Sequence, residues 1–233
     1  MALIVVLAVV LAGCDVSAWL WVDQTQPATP APTAAAPLAG RPSAPPGRSV
    51  SIAPMGRIPA ATLQSLRDFY RDQYRLEITI LPAAPIDPRA RDASRRQLVA
   101  EELIRSLRTT YPDVLADPGV VIIGIVGEDL YIRARTDWEW AFGIRDGGRL
   151  AVVSTARMGF PYGAASLDVQ LQRLRKMVTR DIGVLYYGLP LNDDPDTVLF
   201  ADINGIDDLD RIGEGFWPIL PTALSGGGGQ GPA

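Results

Sequence analysis

The sequence contains no histidine and a single cysteine, Cys14. Histidine is the commonest general base and the commonest transition-metal ligand in proteins, so neither role can be filled in the usual way. A lone cysteine cannot form an intrachain disulfide, a cysteine-rich zinc site or a cysteine–histidine nucleophile. We therefore expect neither a metal ion nor a cofactor.

Charge and composition exclude a second group of functions. The 233 residues include 22 basic and 26 acidic side chains, which gives a net charge of −4. Because arginines and acids are interspersed without a basic stripe, we expect no nucleic-acid partner. With 48% apolar residues the chain can bury a core of its own.

The chain has only one lysine, Lys176. A desolvated lysine can act as the base for a serine nucleophile, which here would be Ser154 or Ser166. No motif surrounds these residues. The sequence therefore predicts a solvated lysine on an amphipathic helix and no such dyad.

The N-terminal segment indicates where the protein is held. Residues 2–12 form an apolar run shorter than the roughly 20 residues that a membrane span needs. The tetrapeptide at 11–14, Leu-Ala-Gly-Cys, resembles the lipobox of bacterial lipoproteins, in which the chain is cut before the cysteine and the cysteine is lipidated. This predicts a signal peptide at 1–13 and an anchor in the lipid bilayer through Cys14, on the non-cytoplasmic side of a membrane in the cell envelope. The alternatives are an uncleaved anchor running through residues 19–22, or an ordinary buried cysteine.

Two segments have too few large apolar side chains to fold alone. Residues 25–48 are rich in proline and alanine, so 14–48 is predicted to be the lipidated cysteine plus an extended tether. Residues 223–233 form a glycine-rich tail. One globular domain remains, at about 49–222.

The order of elements in that domain predicts an α/β (α+β) fold, a mixed β-sheet sandwiched by helices, with a small irregular C-terminal subdomain. Residues 120–126 are continuously apolar, which is typical of a strand buried on both faces. Gly147 and Gly148 predict a hairpin turn. Predicted strands cover 49–54, 76–81, 120–126, 130–133, 139–144 and 149–154, and predicted helices begin at Pro59 and cover about 91–109, 167–187 and 207–212.

The last long helix ends in MVTRDIGVLYYGL, residues 177–189, with an acid and a glycine inside it. Asp181 lies on the border of the apolar stripe, so we expect it to be partly buried and to need a hydrogen-bond donor or an arginine. Gly183 costs about 1 kcal/mol relative to alanine in a helix interior. Its presence predicts that a backbone or a neighbouring strand approaches closely.

Two further kinds of site find little support. The acidic segment 192–210 could supply oxygen ligands to calcium. Aligned with an EF-hand loop from Asp202, however, it has Ile206 at the fifth position and Gly213 at the twelfth. Turn-forming and capping carboxylates are the alternative interpretation. The glycines ahead of the helices do not have the spacing of a phosphate-binding loop, so no nucleotide site is predicted.

Several segments together resemble the archaemetzincins, a family of metzincin-type zinc peptidases. They are VVIIGIVGEDLYI at 120–132, the Phe142-Gly143 pair, and GGRLAVVSTARM at 147–158 ahead of the last long helix. The resemblance covers about Val50 to Trp217 and implies a metzincin-like fold. In the family this helix carries H-E-x-x-H-x-x-G-x-x-H, whose histidines bind zinc and whose glutamate activates water.

On this alignment the family's functional positions hold other residues. Asp181 stands at the glutamate, and Arg180 and Val184 stand at the first two histidines. The later positions, from the motif glycine to a cysteine pair, hold Tyr187, Pro190, Leu199, Trp217 and Leu220. The resemblance therefore implies vestigial site residues and no zinc site. It also implies an ancestral cleft filled by apolar packing, in which Arg180 supplies positive charge in place of the ion.

These observations predict a non-catalytic, pseudoprotease-like lipoprotein that binds a peptide or a protein. Metzincins hold substrate as an added strand, so part of 139–154 is the predicted binding edge. One alternative is an envelope peptidase or hydrolase that works with carboxylates, Asp181 together with Glu139 or Asp137. Another is a structural envelope protein without a cleft.

Overall fold

Helices and strands alternate through most of the chain in a computed structural model, which describes residues 42–159 and 165–217. These residues belong to one compact unit, residues 36–233. The elements are β1 (Ser49–Met55), α1 (Ala60–Phe69), β2 (Ile78–Ile80), β3 (Arg91–Asp92), β4 (Gln97–Val99), α2 (Ala100–Thr110), α3 (Pro112–Leu115), β5 (Val120–Val126), β6 (Leu130–Tyr131), β7 (Gly143–Arg145), β8 (Leu150–Ser154), α4 (Leu167–Leu185) and α5 (Ile206–Arg211).

The main sheet has five strands in the order β2-β1-β5-β8-β7. The first four run parallel and β7 runs antiparallel to β8, so the sheet is mixed. All seven residues of β5 are buried, as expected for a central strand with both faces covered. The turn between β7 and β8 contains Gly147 at φ 75°, which confirms the predicted hairpin.

Two apolar cores cover the two faces of this sheet. One contains Leu66 of α1, Ile123 of β5 and Val178 of α4. The other contains Leu103 and Leu107 of α2. The predicted arrangement, a mixed sheet between helices, is therefore confirmed, and it places α4 behind β5 and β8.

The helix predicted at 91–109 was wrong in its first half. Residues 91–99 form the short strands β3 and β4, and helix α2 begins only at Ala100. Leu98 has a spacing that fits a helix, but it pairs with Arg91 on one side and with Leu130 on the other, in a second sheet of order β3-β4-β6. Arg96 lies in the turn between β3 and β4 at φ 55°. A positive φ is uncommon for arginine, so nothing in the sequence indicated this turn.

Other boundaries differ by a few residues. The strand predicted at 139–144 is confined to Gly143–Arg145, and the one at 76–81 to Ile78–Ile80. The helix after Pro59 ends at Phe69 and continues as one π-helical turn, Tyr70–Tyr74. Helices α4 and α5 match the predicted 167–187 and 207–212 within two residues.

Several predictions fall outside the described residues: the signal peptide at 1–13, Cys14, most of the tether, Leu220 and the tail at 223–233. Within 42–159 and 165–217, no helix is long and apolar enough to cross a membrane.

Candidate functional site

Helix α4 carries the three positions that the family resemblance singled out. Its first turn is capped by Ser166, whose side chain accepts a hydrogen bond from the Val169 N–H at 3.3 Å. The helix runs for 19 residues and packs on β5 and β8. The second half of α4 therefore lies next to β7, the antiparallel strand at the edge of the main sheet.

Asp181 is buried and paired with an arginine of β7. Its side chain is 4% exposed, and its Oδ1 accepts a hydrogen bond from Arg145 Nη1 at 2.7 Å. Burial raises the pKa of Asp181 above its usual value, although the charges of Arg145 and Arg180 pull it down. The predicted need of Asp181 for an arginine is confirmed, and its burial is more complete than predicted.

Arg180 is held by main-chain carbonyls. Its Nη1 donates to Phe200 O, and its Nη2 donates to Ala201 O at 2.9 Å. Burial, and to a lesser degree the nearby charge of Arg145, lowers the pKa of Arg180 to about 10, so it stays charged at neutral pH. A buried cation, next to Asp181, thus lies at the position that the sequence resemblance aligns with the first family histidine.

Val184 and Gly183 have packing roles. Val184 is half-buried and packs against the core that α4 shares with the sheet. A Cβ on Gly183 would lie 2.7 Å from Cε1 of Phe216 and 2.9 Å from Cδ2 of Leu199. A close approach was predicted at this glycine, but the neighbours are side chains of the C-terminal subdomain and not a backbone or a strand.

Arg145, Arg180 and Asp181 line a cleft of about 500 Å³ beside β7. Its other wall includes Trp138, Trp140 and Phe142. The rings of Trp140 and Phe142 meet edge to face with centroids 4.9 Å apart, and the guanidinium of Arg157 stacks 4.4 Å above the ring of Trp140. The cleft therefore combines an aromatic wall with a charged floor, which is common in ligand sites. An open groove beside Arg180 counts against a structural protein without a cleft.

Strand β7 forms the end of the main sheet and leaves one side unpaired within the described residues. Phe142 O accepts from Ser154 N at 2.8 Å, and Asp146 N donates to Leu150 O at 3.0 Å. Because successive residues of an antiparallel strand face alternate sides, Gly143 and Arg145 present their main-chain groups to the free edge.

Gly143 lets this edge strand approach its neighbour closely. A Cβ at this position would lie 2.4 Å from Val152 O. A larger residue at this position would therefore require the backbone of β7 or β8 to shift.

Comparison with known proteins identifies the fold. No model of a known protein family matches the sequence. No curated protein matches it significantly. Among solved structures, archaemetzincin from Archaeoglobus fulgidus, in complex with malonate, is 24% identical with a TM-score of 0.58, covering 72% of this chain and 95% of its own. Archaemetzincin from Methanopyrus kandleri is 23% identical with a TM-score of 0.58, covering 73% and 90%. A zinc-dependent peptidase from Methanocorpusculum labreanum is 19% identical with a TM-score of 0.60, covering 72% and 96%.

The fold is archaemetzincin-like. This confirms the fold that the sequence resemblance implied, over most of the described residues.

An archaemetzincin-like fold implies a zinc ion, but the residues of this cleft do not fit one. Zinc binds thiolate, imidazole or carboxylate. The two helix positions that correspond to ligands hold a guanidinium, Arg180, and a valine, Val184. No group of three acidic or cysteine side chains that could together hold a metal ion occurs in the described segments. The one carboxylate on this part of α4, Asp181, is bonded to Arg145.

The carboxylate-based alternative is not supported by the surroundings of Asp181. Glu139 also lines the cleft, but the charges that shift the pKa of Asp181 are those of Arg145 and Arg180. Asp137 is exposed and lies 3.6 Å from Arg135 Nε. The paired-carboxylate mechanism needs two carboxyl groups that act on one substrate, and Asp181 is instead bonded to Arg145.

The prediction of a solvated Lys176 was wrong. Its side chain is buried at 4% exposure, and its Nζ donates to Leu209 O at 3.0 Å and Asp210 O at 2.8 Å. Burial lowers the pKa of Lys176. Its contacts are with the end of α5 and not with a serine: Ser154 Oγ donates to Glu128 O, and Ser166 caps α4.

The acidic segment 192–210 makes turns. Asn192 Oδ1 accepts from Asp194 N at 3.1 Å, Asp194 Oδ1 accepts from Asp196 N at 2.9 Å, and Asp208 Oδ2 accepts from Asn204 N at 3.0 Å. These side chains satisfy nearby backbone N–H groups, as the turn-forming interpretation predicted.

Sequence reasoning missed Arg145 and the two tryptophans of the cleft. Arg145 lies 36 positions from Asp181 and was one of many arginines that could have paired with it. Its position immediately before the predicted hairpin turn was the available signal, because that placed it on the edge strand.

Proposed function

We propose that this chain is a non-catalytic, membrane-anchored peptide-binding protein that uses an archaemetzincin-like fold. The unpaired edge of β7, directly beside the cleft, is the observation that carries the proposal. An extended peptide binds here as a sixth strand of the main sheet, with its side chains reaching into the cleft.

Main-chain pairing supplies the affinity in this mode of binding. Gly143 and Arg145 each direct one N–H and one C=O toward the free edge, as the bonds of Phe142 and Asp146 to β8 indicate. The aromatic wall then contacts alternate side chains of the peptide, because successive side chains of a strand point to opposite faces. None of these contacts requires a metal ion.

The chemistry of the cleft floor supports a non-catalytic role. The Asp181 carboxylate is buried and bonded to Arg145, and the two aligned histidine positions hold Arg180 and Val184, which do not bind zinc. Arg180 is charged at neutral pH, and its hydrogen bonds go to Phe200 O and Ala201 O. The retained residues therefore stabilise the cleft and do not form a nucleophile or a general base.

Membrane attachment rests on the sequence. The lipobox-like segment 11–14 predicts lipidation of Cys14, and the tether to residue 48 can extend by about 3.1 Å per residue. At the domain end of the tether, Arg48 Nη1 donates to Tyr186 O at 2.7 Å. This bond fastens the start of the folded domain to the C-terminal end of α4.

The decisive experiment is a peptide-display screen with the soluble domain, followed by N-methyl scanning of a selected peptide. A peptide that adds to β7 donates main-chain N–H groups at every second position only. We expect N-methylation at those positions to abolish binding and methylation at the intervening positions to leave it nearly unchanged. A screen without binders, or a flat N-methyl scan, would refute the proposal.

A peptidase assay addresses the catalytic alternative. We expect no hydrolysis above background from the wild-type domain with a mixture of unstructured peptides. Hydrolysis by the wild type that disappears in Asp181→Ala would show that the domain is an enzyme.

A further inference from the structure

Within the proposed peptide site, two arginines have hydrogen-bond donors to spare. An arginine side chain has five N–H groups. Within the described residues, Arg145 donates one of its N–H groups, to Asp181. Arg180 donates two, to the carbonyl oxygens of Phe200 and Ala201.

The spare donors are open to the cleft. Arg175 Nε is the single buried side-chain nitrogen or oxygen without a partner in the described part of the chain. The nitrogens without a partner among the described residues are Nε and Nη2 of Arg145 and Nε of Arg180, and none of them is fully buried. Both residues line the cleft, with Arg180 at 6% exposure. Arg145 has a side-chain exposure of 26%, against 4% for Asp181, so the arginine and not the acid faces an incoming ligand.

Among the three charged residues on the cleft floor, positive charge exceeds negative charge. Two guanidinium groups, Arg145 and Arg180, face a single carboxylate, Asp181. The other acids near the floor are Glu139, on the wall, and Asp202, which acts on Arg180 through its charge. Both are solvent-exposed, so water and salt screen them more than they screen the buried groups.

We propose that this pair of arginines forms a carboxylate-binding subsite, so that the peptide bound along β7 presents an acidic side chain or its own C-terminal carboxylate to Arg145 and Arg180. The inference rests on the proposed peptide-binding function. A guanidinium bonds a carboxylate through two parallel N–H groups, and such charge-assisted bonds are the stronger class in proteins. The aromatic wall beside the arginines excludes water from one side of the bond, which strengthens it further.

Four capped probe peptides test this chemistry, all with the extended core acetyl-Ala-Val-X-Val-Ala. Two have a C-terminal amide and carry Glu or Gln at X. The other two carry Gln at X and end in a free carboxylate or a further alanine amide. We expect at least one acidic probe to bind about tenfold or more tightly than its neutral match. The pair that shows the difference identifies the source of the carboxylate.

Two variants connect the effect to Arg145: one removes the Asp181 charge alone, and the other removes both charges of the ion pair. Asp181→Asn removes the internal competitor for Arg145, so we expect the preferred acidic probe to bind several-fold more tightly than to the wild type. Arg145→Gln combined with Asp181→Asn replaces the ion pair by two uncharged amide side chains, and we expect the preference for the acidic probe to fall about tenfold or more. The double variant leaves no unpaired buried charge and so guards against loss of the fold.

Acetate serves as a probe that is independent of peptide pairing. We expect acetate titration to shift the Nε–Hε NMR resonances of Arg145 and Arg180. Equal binding of acidic and neutral probes would overturn the carboxylate subsite while leaving peptide binding intact. Shifts with acetate but no binding of any peptide would support the subsite and contradict the peptide proposal. No acetate shift together with no preference would refute the subsite.

Discussion

Replacing Arg145 and replacing Asp181 should reduce the folding stability by different amounts, although both break the same ion pair. Arg145→Met leaves a carboxylate that is 4% exposed without a partner, whereas Asp181→Asn leaves a guanidinium that is 26% exposed and reaches solvent. Removing one partner of a buried pair typically costs about 3 to 5 kcal/mol. We expect that cost for Arg145→Met and only about 1 kcal/mol, the net value of an ordinary hydrogen bond, for Asp181→Asn.

The difference depends on pH in a defined direction. Burial already raises the pKa of Asp181, and loss of Arg145 raises it further. The folded state then keeps a proton that the unfolded chain loses above about pH 4, so folding stability falls as pH rises toward the folded pKa. Within that window the slope is about 1.4 kcal/mol per pH unit. The loss of folding stability in Arg145→Met, relative to the wild type, is therefore smallest near pH 4 and largest at neutral pH.

Urea unfolding at pH 4.5, 6.0 and 7.5, followed by far-UV circular dichroism, measures this directly. The double variant Arg145→Met/Asp181→Asn has no titrating group at the site and should show a deficit that is independent of pH. Equal destabilisation by the two single variants, or a deficit of Arg145→Met that does not change with pH, would show that Asp181 is not buried as a charged group.

Three further predictions concern other contacts. We expect Gly183→Ala to destabilise the domain by about 1 to 2 kcal/mol in urea unfolding, although alanine favours helix, because its Cβ overlaps the ring of Phe216; a stabilised variant would contradict the packing. Lys176→Met leaves two carbonyl acceptors at the end of α5 without their donor, so a loss of about 1 to 3 kcal/mol is expected, and a neutral result would show that the lysine is solvated. Mass spectrometry of membrane-extracted protein should find an N-terminal lipid that is absent from Cys14→Ser, and an unmodified cysteine in the mature wild type would remove the lipoprotein prediction.

The sequence was most informative where one physical requirement acts along a short segment. The continuous apolar run at 120–126 could be accommodated only as a strand buried on both faces, and it is β5. The paired glycines at 147 and 148 allowed the turn that joins β7 to β8. The border position of Asp181 on α4 indicated burial and an arginine partner, both of which the structure contains.

Features that depend on distant segments could not be predicted in the same way. Lys176 looks like a surface lysine until the carbonyls at the end of α5, more than 30 residues later, meet its ammonium group. Leu98 has helical spacing but is drawn into a strand by Leu130. The ring that explains Gly183 comes from Phe216, in a subdomain whose irregular path has no periodic signal.

The position of β1 has a mechanical consequence. The chain enters the domain at Ser49, and β1 pairs in parallel with β5 over all seven of its residues and with β2 over three. If the N-terminus is fixed to a membrane and a peptide is held at β7, a pull between them acts on β1 along its length. Its hydrogen bonds to both neighbours then carry the load together and do not open one after another. If both proposals hold, the sheet that forms the cleft also transmits tension between the membrane and the bound peptide.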